Sequence, residues 1–237
     1  MADQAGEPSM PFLFRRRELQ SLVSALRACQ SRLITGADGA GKSRLIDEAL
    51  SLADPPNVRI RFWPGALHSL LVALAEGLNL SGLGKKAASA RLKVAILERL
   101  RQEPRCIIIE RVRGAEPRTY RFLQEIYHLG GCSLVLAARS RAETGYLGRL
   151  LWDPREEIPL RPFSRHEARK VFDAAAERIC LEAEISALLR ERVVAASQGL
   201  PGQIVAMCRL ARRPEYRSSG RILFAPLRID ALLSIPQ

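Results

Sequence analysis

Two kinds of hydrophobic pattern alternate along the first two thirds of the chain. Short apolar runs typical of buried strands occupy residues 32–36, 57–63, 105–110, 132–138 and 156–160. Longer stretches, in which apolar residues return every three or four positions, occupy residues 14–30, 43–54, 66–80, 88–103 and 119–129. A return of apolar residues every three or four positions is the period of an amphipathic helix. Strands that alternate with helices predict an α/β fold, in which a parallel sheet lies between two layers of helices.

The pattern changes after the last predicted strand. Helical periods follow one another at residues 164–179, 182–198 and 201–213, and no strand pattern separates them. Ser164 and Glu167 have the spacing of a capping box, which marks a helix start. We therefore predict a disordered leader over 1–11, an α/β domain over 12–162, a small helical lid domain over 163–213 and a C-terminal tail over 214–237. The tail shows only short β-like runs.

Composition narrows the class of protein. Of 237 residues, 47% are hydrophobic and 26% are charged, which is the balance of a globular protein with a sizeable core. No stretch approaches the roughly 20 apolar residues that a membrane-spanning helix needs. The first residues contain no apolar segment of the kind found in signal peptides, so we expect a cytoplasmic protein that does not enter a membrane.

Charge suggests a polyanionic partner. The formal net charge is +12, from 37 basic and 25 acidic residues, and most of the basic residues are arginines. An excess of this size favours nucleic acid as a partner, and the planar guanidinium suits phosphate. The alternative is that the arginines only solvate helix faces, and charge alone does not separate these two interpretations.

The strongest motif is the segment GADGAGKS between the first predicted strand and the next helix. It fits the P-loop (Walker A) pattern G-x-x-x-x-G-K-[ST] in the required strand–loop–helix context. The glycines let backbone N–H groups turn inward around an anion, and the helix N-terminus adds its dipole. We expect Lys42 to reach the β and γ phosphates of ATP and the hydroxyl of Ser43 to reach Mg²⁺. The predicted nucleotide contacts in this segment are Gly36, Ala37, Asp38, Gly39, Ala40, Gly41, Lys42, Ser43 and Arg44.

A second acidic group for Mg²⁺ is expected at the end of another buried strand. Glu110 ends the run CIIIE, and Arg111 follows it. If Glu110 is the Mg²⁺ carboxylate, the acid that activates water is missing, because an arginine cannot accept a proton. If the register is shifted by one, Glu110 activates water and Ile109 stands where the Mg²⁺ acid should be. In a third interpretation, Glu110 only caps a helix or pairs with a nearby arginine. Either of the first two predicts slow hydrolysis.

Several further segments resemble the AAA+ and STAND families of P-loop ATPases. FLFRRRELQSL is similar to their F-x-G-R-x-x-E-L segment near the adenine, with Phe14 in place of the glycine. CSLVLAARSR resembles their sensor-1 strand, which would place Arg139 or Ser140 near the γ-phosphate as a catalytic group. ASQGLPGQIVAMCRLA resembles their lid motif, in which a Gly-x-Pro turn faces the base, and this would make Pro201 a nucleotide contact. That stretch is also similar to the lid of the ATPase regulators of bacterial transposition and of related secretion ATPases.

The resemblance extends over about residues 12–212 and implies a function. ATP would bridge the α/β core and the lid, and the bound state would be read by a partner, as in a nucleotide-dependent switch with weak or partner-stimulated hydrolysis. Duplex DNA, a protein partner and an ATP-dependent homo-oligomer are the expected associations. In such oligomers an arginine reaches the γ-phosphate of the next subunit, and Arg149 and Arg155 lie in the corresponding region, although a solvated arginine is the simpler interpretation of each. The alternative function is a signalling or defence NTPase whose tail docks a protein.

Overall fold

A computed structural model of the chain describes residues 11–80, 82, 86–181, 183–218 and 221–234. The predicted leader therefore falls outside the described residues except for Pro11, and so do parts of the predicted tail. The chain divides into two compact units. One comprises Arg17–Gly36 and Lys42–Leu160, and the other comprises Met1–Arg16, Ala37–Gly41 and Arg161–Gln237. No helix within the described ranges is long and apolar enough to cross a membrane.

The first unit is built on a five-stranded parallel sheet. The strands are β1 (Arg32–Thr35), β2 (Asn57–Ile60), β3 (Cys106–Ile109), β4 (Ser133–Ala138) and β5 (Glu157–Pro159). Their order in the sheet is β2-β3-β4-β1-β5. The helices are α1 (Arg16–Arg27), α2 (Lys42–Ala53), α3 (Leu67–Gly77), α4 (Ser89–Gln102) and α5 (Pro117–Tyr127). The predicted α/β class is confirmed, and each predicted strand and helix of this unit is present with bounds that differ from the prediction by a few residues at most.

Both faces of this sheet are buried. Successive side chains of a strand point to opposite faces, so alternate residues belong to one layer. One set joins a hydrophobic cluster with residues of α3, α4 and α5, namely Leu33, Ile107, Ile109, Leu134 and Leu136. The other set is also buried, and its members are Ile34, Ile108, Val135 and Ala137. Helices α1 and α2 also have buried apolar residues, namely Leu22, Leu26, Leu45, Ile46 and Ala49.

The strand register brings the carboxyl ends of several strands to one edge of the sheet. Ile60 pairs with Ile109, Ile109 pairs with Leu136, and Thr35 pairs with Ala138. Because the strands are parallel, the residues that follow β1, β2, β3 and β4 all leave the sheet at the same edge. In open α/β sheets this carboxyl edge is where ligands bind.

The second unit is helical. It contains α6 (Arg165–Arg178), α7 (Ala183–Ala196), α8 (Pro201–Ala211) and α9 (Phe224–Ser234), with a short antiparallel pair formed by β6 (Arg217–Ser218) and β7 (Arg221–Ile222). The capping box is confirmed, because the side chains of Ser164 and Glu167 each bond the other's backbone N–H. The core includes Val171, Phe172, Leu189, Val193, Ile204 and Met207.

Helix α9 was not predicted, since the tail pattern indicated only short β-like runs. Leu227 and Ala231, one helical turn apart, are buried in the core of this unit. The Tyr216 hydroxyl donates a hydrogen bond to the Asp230 carboxylate at 2.7 Å. Ile229, Leu232 and Leu233 of the same helix are exposed. Because apolar residues lie around most of this helix, its sequence lacks the one-sided apolar period by which an amphipathic helix is predicted.

The segment before α1 packs on residues of the same helical unit. Phe14 has a φ of 60°, so the position where the resembling families have glycine does adopt a left-handed conformation. Its ring lies edge-on to Phe163 at 5.9 Å between centroids. The buried Arg15 guanidinium stacks over the same Phe163 ring, 4.4 Å from its centroid. It also donates a hydrogen bond to the Arg161 carbonyl. Arg15 therefore has a structural role in this unit.

We predict that Gly199→Ala destabilises the helical unit. Gly199 has a φ of 78°, and its carbonyl accepts from the Phe163 N–H at 2.8 Å. A Cβ there would collide with the Phe163 carbonyl oxygen and lie 2.9 Å from its nitrogen. The free energy of unfolding should fall by about 2–4 kcal/mol, measured by urea denaturation. In the control Gly130→Ala, a Cβ meets nothing within 4 Å, and stability should change little. Equal denaturation midpoints for the two variants would contradict the prediction.

Candidate functional site

The loop between β1 and α2 has a backbone that only glycine adopts easily. Gly36, Gly39 and Gly41 have φ values of 154°, 80° and 98°. The Ala40 N–H donates to the Ala37 carbonyl at 3.0 Å, which makes a tight turn within the loop. Helix α2 begins at Lys42, so its first backbone N–H groups have no partner within the helix. This is the local geometry that an anion nest requires.

Gly36 and Lys42, the residues on either side of the turn, are held by backbone groups. The Lys42 ammonium donates to the Gly36 carbonyl at 2.6 Å. The Gly36 N–H donates to the Arg139 carbonyl, which follows β4, at 3.0 Å. The predicted cation of the motif is therefore positioned over the start of the loop, and the loop is anchored to the neighbouring strand end.

The carboxylate of Glu110 has two partners at the carboxyl edge of the sheet. It follows β3 directly and is only 3% exposed. Its Oε2 accepts a short hydrogen bond from the Ser43 hydroxyl. Its Oε1 accepts from Arg59 Nε at 2.6 Å. The two predicted Mg²⁺ residues, Ser43 and Glu110, are thus brought into direct contact.

The contacts of Glu110 distinguish the sequence-based alternatives. Ile109 is 0% exposed and belongs to the apolar cluster under α3, α4 and α5, so position 109 faces away from Ser43. The shifted register, which puts the Mg²⁺ position at Ile109, is inconsistent with this packing. The contact with Ser43 is consistent with Glu110 as a Mg²⁺ carboxylate. The contact with Arg59 is consistent with Glu110 as the partner of an arginine. Arg111, half-buried with a φ of 55°, follows it.

Arg59 and Asp47 were missed by sequence analysis. Arg59 lies in β2, and besides bonding Glu110 it forms a short ion pair with the Asp47 carboxylate on α2. Its side chain is only 12% exposed. The sequence offered two signals for them. One was a charged residue inside the strand run NVRIRFW, and the other was an acidic residue one helical turn after Ser43. Neither signal shows that the two side chains meet.

The pKa of Arg59 reflects this environment. Burial opposes its charge, but hydrogen bonds and Coulombic attraction from Glu110 and Asp47 outweigh the burial, and its pKa is raised above the ordinary value. The guanidinium is therefore charged at every accessible pH. The site holds a permanent cation beside the carboxylate that is predicted to hold Mg²⁺.

The arginines after β4 have different surroundings. The Arg139 side chain is exposed, and the Ser140 hydroxyl accepts from the Glu143 N–H at 3.3 Å. Arg149 lies over the Tyr146 ring, 5.1 Å from the centroid, and Arg155 is exposed. No nucleotide contact is assigned to these residues by the geometry alone.

The middle of the loop contacts the first turn of α8, within the helical unit. The Gly202 N–H donates to the Gly39 carbonyl at 2.8 Å. A Cβ at Gly41 would be 3.8 Å from Cγ of Pro201, an ordinary van der Waals distance. A Cβ at Gly202 would instead approach the Gly39 Cα to 2.8 Å. Pro201, predicted as a nucleotide contact, thus lies beside the loop, and Gly202 permits the close approach.

Comparisons with known proteins identify the fold. No protein-family model and no curated protein sequence matches the chain. Among solved structures, the Cdc6 protein of Pyrobaculum aerophilum matches with a TM-score of 0.66 and 15% identity, over 88% of this chain and 63% of that one. The ORC1 protein of Aeropyrum pernix, in complex with DNA, matches with 0.60 and 16%, over 98% and 67%.

The chain has the P-loop NTPase fold. A third similar structure is a signal transduction ATPase with numerous domains (STAND) from Pyrococcus horikoshii, with a tetratricopeptide repeat sensor. It matches with a TM-score of 0.53 and 17% identity, over 99% of this chain and 35% of that one. The chain thus spans less than two thirds of the length of the Cdc6 and STAND proteins. The expected resemblance to AAA+ and STAND ATPases is confirmed at the level of the P-loop NTPase fold.

We predict that Gly202→Ala loosens the contact between α8 and the P-loop. The added methyl group would displace the Gly39 backbone and lengthen the bond from the residue 202 N–H. Hydrogen exchange of that amide should accelerate at least about tenfold, because its acceptor is withdrawn. The control is Gln203→Ala in the same helical turn, which leaves both backbone groups in place. An unchanged exchange rate at position 202 would contradict the contact.

Proposed function

We propose that the chain binds ATP with Mg²⁺ at the P-loop and acts in the cytoplasm as a nucleotide-dependent switch with slow hydrolysis. The observation that supports this most directly is the contact between the Ser43 hydroxyl and the Glu110 carboxylate. These two groups come from distant parts of the sequence and are the oxygen ligands that such a Mg²⁺ ion needs.

The residues present fit this ligand. The loop from Gly36 to Ser43 supplies backbone N–H groups at a helix N-terminus, where phosphate binds without further help. Lys42 would neutralise the β and γ phosphates, and Ser43 with Glu110 would hold Mg²⁺, which supplies further positive charge to the same phosphates. A Mg²⁺ ion of this kind would be held partly by phosphate oxygens, so it needs few protein ligands.

Slow hydrolysis follows from the surroundings of Glu110. One of its oxygens accepts from Ser43 and the other from Arg59, so both are already engaged by protein groups. Arg111 stands next and cannot act as a base. Arg139 remains the proposed group near the γ-phosphate. A protein built in this way retains ATP, and a partner would be needed to accelerate turnover.

The central test uses Lys42→Ala and Glu110→Gln. Lys42→Ala should weaken ATP binding by at least about tenfold in calorimetry, because a charge-assisted phosphate contact is lost. The wild type should turn over far more slowly than the ~10 s⁻¹ typical of enzymes. Glu110→Gln should keep ATP binding and reduce its dependence on Mg²⁺. The matched control is Lys86→Ala, an exposed lysine outside the site. Unchanged ATP affinity in Lys42→Ala would refute the proposal.

Duplex DNA is the proposed partner, bound by ATP-dependent oligomers. The net charge of +12 supports it, and so does the fold similarity to an ORC1 protein solved in complex with DNA. Contacts to phosphates release counterions, so such binding depends steeply on salt.

The DNA proposal predicts a joint dependence on nucleotide and salt. ATP with Mg²⁺ should tighten binding of a fluorescent duplex in anisotropy titrations, and the affinity should fall steeply as NaCl is raised. The same titrations with Lys42→Ala should show no effect of ATP. Affinity that is indifferent to both ATP and salt would exclude this function.

A protein partner is the second candidate. The exposed apolar side chains of α9, with Leu233 at 73% exposure, are of the kind that protein interfaces cover. The fold similarity to a signal transduction ATPase is consistent with it. Equal binding to any polyanion, together with tight binding to one protein, would favour this candidate over DNA.

A further inference from the structure

One guanidinium contacts three residues around the proposed Mg²⁺ position. Arg59 is in β2, the edge strand of the sheet, opposite Ile108 of β3. Its Nε bonds the Glu110 carboxylate, one terminal nitrogen bonds the Asp47 carboxylate, and the other lies 3.5 Å from the Ser43 carbonyl. The side chain thus joins α2, β2 and β3 where the P-loop helix begins.

The charges of this cluster do not cancel. Glu110 and Asp47 are two carboxylates, and Arg59 is one permanent cation. Glu110 is nearly buried, with 4% of its side chain exposed, whereas the Asp47 side chain is 41% exposed. A charge beside the buried carboxylate is screened less by solvent than one beside the exposed carboxylate. The cluster therefore presents a divalent cation with less negative charge than two carboxylates alone would.

We infer that Arg59 is a positioning residue that lowers the dependence of nucleotide binding on Mg²⁺. The inference rests on the proposed ATP site. Arg59 keeps the Glu110 carboxylate oriented toward Ser43 and compensates its charge, so ATP without metal meets less repulsion there. The same compensation reduces the attraction of the carboxylate for Mg²⁺. Both effects bring the ATP affinities with and without Mg²⁺ closer together.

The measured quantity is a metal ratio, which we define as the Kd of ATP in EDTA divided by its Kd in excess MgCl₂. Removing the cation in Arg59→Gln should raise the metal ratio about tenfold, because Coulomb attraction for Mg²⁺ grows and repulsion of metal-free ATP grows. Removing the exposed acid in Asp47→Asn should lower the ratio by a smaller factor, about threefold. Arg59→Lys keeps the charge and should stay near the wild-type ratio.

Opposite shifts separate this inference from a merely structural role. Loss of folding or of site geometry would weaken ATP binding in both media and would not move the ratio in two directions. The controls repeat each charge change nearby at exposed positions. Arg61→Gln removes a cation just beyond β2, and Asp54→Asn removes an acid just after α2. Both controls should leave the metal ratio within about twofold of wild type, since solvent screens exposed charges.

The experiment is calorimetry of ATP against the full chain in the two media, with circular dichroism to confirm folding. A raised ratio in Arg59→Gln together with a lowered ratio in Asp47→Asn supports the inference. Unchanged ratios, or shifts in the same direction, overturn it while leaving the proposed function intact. If Arg59→Gln does not fold, Asp47→Asn decides, and any ratio at or above wild type overturns the inference. Absence of ATP binding by the wild type in both media would overturn the proposed function as well.

Discussion

The buried carboxylate of Glu110 requires partners, because an ionised group removed from water without compensation is strongly destabilising. Ser43 of α2 and Arg59 of β2 supply them. Each partner is placed by regular structure: the P-loop delivers Ser43 to the first turn of a helix, and the strand register sets β2 beside β3. The partners of this one buried charge thus connect α2 and β2 to the end of β3, at the edge of the sheet where the nucleotide is proposed to bind.

Features governed by local sequence were predictable. Short apolar runs located the sheet strands, helical periods located the helices from α1 to α8, and the spacing of Ser164 and Glu167 located a helix start. The P-loop was recognisable because its glycines are needed for backbone conformations that other residues avoid. These signals lie within a few residues of the structure that they specify.

Features that depend on contacts across the chain were not predictable. The pairing of Arg59 with Glu110 follows from the β2–β3 register, and no local pattern encodes that register. The approach of Gly202 to Gly39 is likewise a long-range backbone contact. Helix α9 escaped prediction for a different reason, since Leu227 and Ala231 are buried while Ile229, Leu232 and Leu233 of the same helix remain exposed. The proposed phosphate and Mg²⁺ residues were thus predicted, whereas Arg59, Asp47 and the contacts that join them to Glu110 were not.

Under the proposed function, a compensated carboxylate beside the P-loop would favour retention of nucleotide over rapid turnover. The Gly202 N–H of α8 donates to the Gly39 carbonyl of the loop. The most direct test of the P-loop assignment is a crystal structure of the chain with a non-hydrolysable ATP analogue and Mg²⁺. We predict triphosphate oxygens within hydrogen-bonding distance of the Lys42 ammonium, and Mg²⁺ about 2.1 Å from the Ser43 hydroxyl oxygen. A triphosphate bound elsewhere, with Lys42 still on the Gly36 carbonyl, would contradict the account.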